Sequence, residues 1–168
     1  MILNNHLLSD HTVDVMATAA RIATESKMNR VGSEHLVMAL CADLKFLNNI
    51  VRRVGFPSAE IDEILRETLK ADQDFNPQQH RTLTPRMVRS FAHAQRIAQE
   101  CFGCTTIEPH HLLLGILFDG ESLVSTTLAA QGIIYAELLT ALDGKDTDAK
   151  AIAFEEATDG REPVLNPS

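Results

Sequence analysis

Residues 34–40 read Glu-His-Leu-Val-Met-Ala-Leu, and residues 110–116 read His-His-Leu-Leu-Leu-Gly-Ile. The second histidine of the later stretch, His111, lies 76 positions after His35. Both stretches have the same form, in which two polar residues are followed by an almost continuous apolar run. A helix that is apolar nearly all round is buried, so each stretch predicts a central helix in its part of the chain.

The landmarks around these stretches recur as well. A glycine follows each stretch at a similar distance, and the two glycines, Gly55 and Gly132, are 77 positions apart. A nearly constant offset indicates that residues 8–69 and 83–142 are two copies of one unit. We expect residues 70–82 to link them and residues 143–168 to form a flexible acidic tail, with a short helix at 149–157.

Each copy predicts four helices. The first helices start at Ser9 and at Thr84-Pro85, which are preferred capping and first-turn residues. Gly55 and Gly132 are expected to end the third helices as left-handed C-caps. The expected apolar stripe of the first helix comprises Val13, Met16, Ala20 and Ala23. No segment shows convincing two-residue alternation, so the predicted fold is all-α, with two four-helix units related by a pseudo-twofold axis.

Composition excludes several classes of function. The chain has 168 residues, is 45% hydrophobic and carries a net charge of −8. That charge disfavours nucleic acid, whose phosphates attract Lys and Arg. No apolar run approaches the roughly 20 residues of a membrane span, and the N-terminus lacks the features of a secretory signal. No membrane partner is therefore expected. Three cysteines without framework spacing indicate a reducing, cytoplasmic location.

A family resemblance appears at Val31-Gly32-Ser33-Glu34-His35-Leu36. This motif resembles the glycine–threonine–glutamate–histidine–leucine turn of the Clp N-terminal domain family. Leu83-Thr84-Pro85-Arg86 is similar to the start of that family's second repeat, and Phe102-Gly103-Cys104 to its leucine–glycine–histidine step. The resemblance covers about residues 7–142. It implies a pseudo-twofold helical domain that receives adaptors and substrates for a Clp-type AAA+ unfoldase.

The resemblance also implies which residues meet a partner. Some family members resemble receptors for arginine-phosphorylated proteins and use the glutamate of each motif. Glu34, beside Ser33, matches that glutamate in the first repeat, whereas His110 stands there in the second. Such a site would therefore retain at most one of its two glutamates. His35 and His111, like Gly55 and Gly132, are interpreted as structural motif residues.

The larger family members continue into ATPase modules. No G-x-x-x-x-G-K-[ST] phosphate loop and no G-x-S-x-G nucleophile elbow occurs in this sequence. The chain is thus expected not to be an enzyme and to need no cofactor. It would be either an excised front domain or, as its native-looking start suggests, a stand-alone member.

Two alternatives use other residues or none. Cys101-x-x-Cys104 followed by His110-His111 is one pattern of potential metal ligands. In this alternative, the chain is a small regulator that binds a metal or small ligand through Cys101, Cys104 and His111. Cys101 falls at a predicted helix end and there is no second C-x-x-C, so no metal is expected. The other alternative is a degenerate paralogue without a client. The favoured hypothesis is a non-catalytic interaction module that binds Clp ATPase or protease subunits, adaptors, or unfolded or tagged substrates.

Overall fold

A computed structural model describes residues 2–3 and 6–144. Its helices in chain order are α1 (Asp10–Glu25), α2 (Ser33–Cys41), α3 (Leu44–Val51), α4 (Ser58–Thr68), α5 (Pro85–Phe102), α6 (Pro109–Asp119), α7 (Leu123–Ala130) and α8 (Tyr135–Ala141). Its short strands are β1 (Ile2–Leu3), β2 (His6–Leu8), β3 (Arg30–Val31), β4 (Thr82–Leu83) and β5 (Thr106–Ile107). The all-α prediction, with four helices in each repeat, is confirmed.

The predicted caps of the first helices are present. The Ser9 hydroxyl accepts the backbone N–H of Thr12 at 3.1 Å, and the Thr84 hydroxyl accepts that of Met87 at 3.1 Å. Pro85 occupies the first turn of α5, where no backbone donor is needed. Both repeats therefore begin with the same local chemistry.

The core lies around α2 and α6. Leu36 and Leu112 are fully buried, at 0% exposure each. The α5 and α6 helices approach closely because Gly115 has no side chain: a Cβ there would collide with the carbonyl oxygen of Ser90 and crowd Ala94. The buried helix α6 thus packs against α5, and α2 packs against α1 in the same way.

The strands cross between the repeats. In parallel pairing, β2 lies beside β5 with Leu8 opposite Ile107, and β4 lies beside β3 with Leu83 opposite Val31. The strand that precedes the first helix of each copy therefore pairs with the strand that precedes the second helix of the other. This reciprocal exchange is the pseudo-twofold relation that the repeat predicts.

Two local predictions differ from the structure. Only Gly103, Gly120 and Gly132 have a positive φ among the described glycines, with Gly132 at 84°. Gly132 follows α7 as a left-handed C-cap residue, but Gly55 does not adopt that conformation and α3 already ends at Val51. The prediction for Gly55 is therefore wrong, because the chain leaves α3 through an ordinary turn.

The buried face of α1 is also rotated from the expected stripe. Val13 and Ala20 are half-buried, whereas Thr12 is fully buried at 0% exposure. The Thr12 hydroxyl donates to the Ile107 carbonyl oxygen at 2.7 Å, which satisfies a polar group in the core. A hydrophobicity pattern does not recognise a buried threonine as a core residue.

The polar stretch 70–82 is fastened to the first repeat. Asp72 accepts the backbone N–H of Asn29 at 2.7 Å. The Arg81 guanidinium donates to the carbonyl oxygen of Met28 at 3.0 Å and to that of Asn76, and it stacks over the Phe75 ring at 5.0 Å. These contacts hold the connection against the turn after α1.

Within the described ranges, no single helix has the length and apolar content for a membrane span. Only α6 and α7 taken together have that length and apolar content, and the two helices are bent by 102° relative to each other. Most of the predicted tail, residues 145–168 with the expected helix at 149–157, lies outside the described residues.

Candidate protein-binding site

The predicted partner-binding residues lie at two equivalent helix starts. Ser33 and Glu34 open α2, and His110 is in the first turn of α6. The Ser33 residue is buried at 3% exposure, so its hydroxyl is not presented to solvent. The Glu34 side chain is 27% exposed, and its carboxylate bends back over Gly32, where an added Cβ would touch it. Glu34 thus places a negative charge at a helix N-terminus.

The two repeated histidines have matching hydrogen bonds. The Nδ1 atom of His35 accepts the backbone N–H of Gly32 at 2.9 Å, and Nδ1 of His111 accepts that of Glu108 at 2.9 Å. Each ring therefore satisfies one of the free amides at the start of its helix. An accepting Nδ1 places the proton of the neutral ring on Nε2, and His35 Nε2 lies 3.2 Å from the Met28 sulfur.

Burial disfavours the charged form of His35. Burial lowers the pKa of His35, and the carboxylates of Glu34 and Asp72 oppose that effect. The carboxylate of Glu34 approaches Nδ1 of His35 only to 4.0 Å. Since that nitrogen already accepts a hydrogen bond, the contact is not an ion pair, and His35 does not neutralise Glu34.

An open cleft of about 250 Å³ lies at the start of α6. Its walls come from both repeats: α1 and α3 on one side, and the α6 N-terminus and the end of α8 on the other. It is lined by His11, Lys45, Phe46, Asn49, Ile50, Glu108, Pro109, His110 and Leu142. Glu34 and Ser33 are not among these residues, so the structure does not bring the three predicted site residues together.

Two long-range contacts shape the wall of the cleft formed by the first repeat. The Nε2–H of His11 donates to Asp43 at 2.8 Å, and the same carboxylate accepts the backbone N–H of Phe46 at 2.8 Å as the cap of α3. After α3, Arg53 donates to the Ala141 carbonyl oxygen at 3.1 Å. The position of α3 relative to α1 and the end of α8 is therefore fixed by polar contacts.

His110 is a neutral wall residue of the cleft. Its pKa is lowered, chiefly by burial and further by the nearby Arg53, while Glu108 acts in the opposite direction. Its ring lies 5.4 Å from that of Phe102 in an edge-on arrangement. A neutral imidazole offers both a donor and an acceptor, so His110 is suited to pair with a partner's backbone.

The comparisons with known proteins agree with this architecture. The sequence model of one protein family, the Clp repeat (R) N-terminal domain, matches residues 7–131. The chain belongs to this family. No curated protein sequence matches it significantly.

Solved structures show the same fold at low sequence identity. The N-terminal domain of Hsp104 from Candida albicans is 14% identical, with a TM-score of 0.66 over 81% of this chain and 89% of that one. A structure described as part of preliminary investigations of a malarial protein secretion system is 16% identical, with a TM-score of 0.64 over 90% and 95%. The N-terminal domain of the chaperone ClpD from Arabidopsis thaliana is 17% identical, with a TM-score of 0.59 over 84% and 94%.

Against this Clp-repeat background, the cysteine alternative lacks support. Cys101 is buried, and the Cys104 sulfur contacts the Phe102 carbonyl oxygen at 3.6 Å. Nδ1 of His111 is occupied by the amide of Glu108. In the part of the chain that the structure describes, no three His, Cys, Asp or Glu side chains are grouped to hold a metal ion.

Sequence reasoning found only one residue of the cleft, His110. Lys45 and Asn49 are four positions apart on α3, and this spacing was the available signal for a polar face. His11 and Asp43 gave no local signal, because 32 positions separate them.

Proposed function

We propose that this Clp-repeat domain is a non-catalytic protein-interaction module of the Clp chaperone and protease system. It binds adaptors, substrate segments or Clp subunits through the cleft between its repeats. Domains of this family are generally non-catalytic interaction modules. The observation that carries the proposal is a cleft whose walls belong to both copies of the repeat.

The size and chemistry of the cleft favour a protein segment over a small cofactor. At about 250 Å³ it is smaller than the roughly 300–1,000 Å³ of typical small-molecule sites. Phe46, Ile50 and Pro109 supply apolar contact, whereas Asn49 and His110 supply hydrogen-bonding groups. This combination suits the alternate apolar side chains of an extended segment whose backbone is held at the edge.

Catalysis by the chain itself is not part of the proposal. The sequence holds neither a phosphate loop nor a nucleophile elbow. The purified chain is expected to show no ATP turnover. Turnover that disappears when a residue of this chain is changed would contradict the non-catalytic assignment.

The cleft is tested with two neighbouring asparagines of α3. Asn49 lines the cleft, whereas Asn48 is exposed on the same helix and does not. Asn49→Arg fills the cleft with a long charged side chain. We expect it to weaken binding of purified Clp unfoldase subunits, or of an unfolded substrate protein, by about tenfold or more, which is 1.4 kcal/mol.

Asn48→Arg is the matched control, because it adds the same charge to the same helix. It should leave affinity nearly unchanged. Isothermal titration calorimetry measures both, and circular dichroism checks folding. Equal affinities for the two variants would show that the cleft is not the binding site.

A further inference from the structure

The described chain ends beside the cleft. Leu142 is one of the lining residues, and the next residue, Asp143, forms an ion pair with Arg53 at 2.5 Å. Gly144 packs against Leu139 and Phe102, so closely that a Cβ would collide with Leu139. Phe102 in turn contacts the ring of His110. Residues 145–168 therefore start at the edge of the cleft rather than on the far side of the domain.

The following sequence contains a short segment that matches the cleft in chemistry. Residues 150–156 read Lys-Ala-Ile-Ala-Phe-Glu-Glu. When the segment binds in extended form rather than as a helix, Ile152 and Phe154 lie two positions apart and face the same side. Both can then meet a site lined by Phe46, Ile50 and Pro109. Burial of such side chains against one another is favourable by roughly 25 cal/mol per Å² of apolar surface.

The charges of the segment and of the cleft are also complementary. Lys45 lines the cleft, and it is the counterpart of Glu155, which directly follows the apolar residues. Glu108 lines the cleft too, and it is the counterpart of Lys150, which directly precedes them. A segment with a base at one end and an acid at the other therefore meets one charge of each sign.

We propose that residues 151–154 dock into the cleft, so that this chain occupies its own binding site. Ile152 follows Leu142 by ten residues, which reach about 33 Å when extended. The segment thus needs no long connection to return to the cleft. A tether of this length gives an effective concentration in the millimolar range, so even a weak contact is populated and an external partner has to displace it. Only this last step rests on the proposed function.

A single tryptophan tests the docking directly, because the chain contains no tryptophan. Phe154→Trp in the full chain places an indole in the proposed segment. Val164→Trp places one further along, outside it. We expect the indole at position 154 to emit at shorter wavelength and to be quenched less by acrylamide than the indole at position 164. Equal emission and equal quenching would overturn the proposal.

A second substitution, added to the Phe154→Trp variant, shows whether the indole lies in the cleft. Lys45→Glu reverses the charge at the cleft and should raise quenching to the level of the Val164→Trp chain. Lys70→Glu makes the same change at an exposed position outside the cleft lining and should leave quenching unchanged. Ile152→Asp should also release the indole. An indole that stays protected in both the Lys45→Glu and the Ile152→Asp chains is not in the cleft.

Dilution separates docking within one chain from docking between two. Protection that is constant over the accessible concentration range supports the tethered contact. Protection that disappears on dilution means that a second copy supplies the segment, which contradicts the proposal. None of these measurements uses a partner. A negative docking result therefore does not contradict the proposed binding function, and a negative result in the partner-binding experiment does not contradict docking.

Discussion

The backbone N–H of Ser9 donates to the carbonyl oxygen of Ile107 at 3.2 Å. The residue that caps α1 is thereby held by the strand that precedes α6 in the other repeat. The same bond recurs with the repeats exchanged, because the N–H of Thr84 donates to the Val31 carbonyl oxygen at 3.0 Å. Each first helix is therefore anchored at its start to the other repeat, and we expect the two repeats to fold together.

One bond in this region has no counterpart. The Thr12 hydroxyl also donates to the Ile107 carbonyl oxygen, whereas Met87 occupies the equivalent position of α5. Thr12→Val keeps the shape and removes this bond together with the 2.9 Å contact of the hydroxyl with Ser9 Oγ. We expect a loss of about 1 kcal/mol in the free energy of unfolding. In a domain of this size that lowers Tm by about 2–4 °C.

Thr24→Val is the control for that measurement. The Thr24 hydroxyl donates to the Ala20 carbonyl oxygen within α1 and is exposed, so its removal should change the free energy of unfolding by less than about 0.5 kcal/mol. Thermal denaturation followed by circular dichroism compares the two. A Thr12→Val change no larger than the control would show that the hydrogen bonds of the Thr12 hydroxyl, including the one between the repeats, add nothing.

A carboxylate in either central helix should unfold the domain. Leu36 and Leu112 are both at 0% exposure, and a buried, unpaired carboxylate costs several kcal/mol. The whole domain is expected to be stable by only about 5–15 kcal/mol. We therefore expect Leu36→Asp and Leu112→Asp to lose their cooperative melting transition or to melt far below the unaltered chain.

The same substitution on the surface controls for the charge. Leu44 is 74% exposed at the start of α3, so Leu44→Asp should melt close to the unaltered protein. Calorimetry or circular dichroism gives all three values. Unchanged melting of both core variants would mean that α2 and α6 are not the core.

Most of the features that the sequence predicted correctly are ones that repeat. The caps at Ser9 and Thr84 and the buried runs at Leu36 and Leu112 depend on residues close together in the chain, and each occurs twice. The short strands escaped notice because two or three residues are too few to show alternation. The cleft escaped notice because contacts such as His11 with Asp43 join residues far apart in the chain.

The glycines that follow the third helices, Gly55 and Gly132, test the wrong prediction that both are left-handed caps. Gly132 has a φ of 84°, whereas Gly55 does not adopt the left-handed conformation and has open space where a Cβ would stand. Gly132→Ala should lower the free energy of unfolding by roughly 1–2 kcal/mol because of left-handed strain. Gly55→Ala should be neutral or stabilising by up to about 1 kcal/mol, because alanine restricts the unfolded chain.

Denaturation in urea measures both glycine variants. The two positions are exposed, so differences in packing contribute little. Equal destabilisation by both substitutions would restore the interpretation of Gly55 as a second left-handed cap.

Stability should fall as the pH drops through the range of histidine. Burial lowers the pKa of His35 below its ordinary value of 6.5. Between that value and the lower folded one, the unfolded chain binds a proton that the folded chain does not, so the contribution is complete above about 6.5 and is lost as the pH decreases. His35→Gln keeps a side chain that can accept the Gly32 amide and removes the titration.

We therefore expect His35→Gln to lose less unfolding free energy than the unaltered chain between about pH 7.5 and about pH 5.5. His80→Gln is the control, since His80 is exposed, and its pH dependence should match the unaltered chain. Urea denaturation at both pH values gives the comparison. Parallel curves for His35→Gln and the unaltered chain would show that His35 does not titrate differently on folding.

The two helix starts should not serve a cationic partner equally. Glu34 offers a carboxylate that His35 does not neutralise, whereas the equivalent His110 is a neutral ring in the cleft wall. A guanidinium or phospho-guanidinium donor should therefore prefer Glu34. If Glu34 contacts such a group, Glu34→Ala should weaken binding of an arginine-phosphorylated unfolded protein by about 1.5–3 kcal/mol, or roughly ten- to a hundredfold.

Glu60→Ala separates recognition from helix stabilisation. Glu60 is exposed in the first turn of α4, so its loss costs the same helix-dipole energy, about 0.3–1 kcal/mol, without touching the α2 start. Binding titrations with the phosphorylated and untreated protein should show a loss for Glu34→Ala, little change for Glu60→Ala, and a smaller loss for His110→Ala. If His110→Ala alone weakens binding, or if neither Glu34→Ala nor His110→Ala does, Glu34 acts only as a helix-start residue and the repeats do not differ in this way.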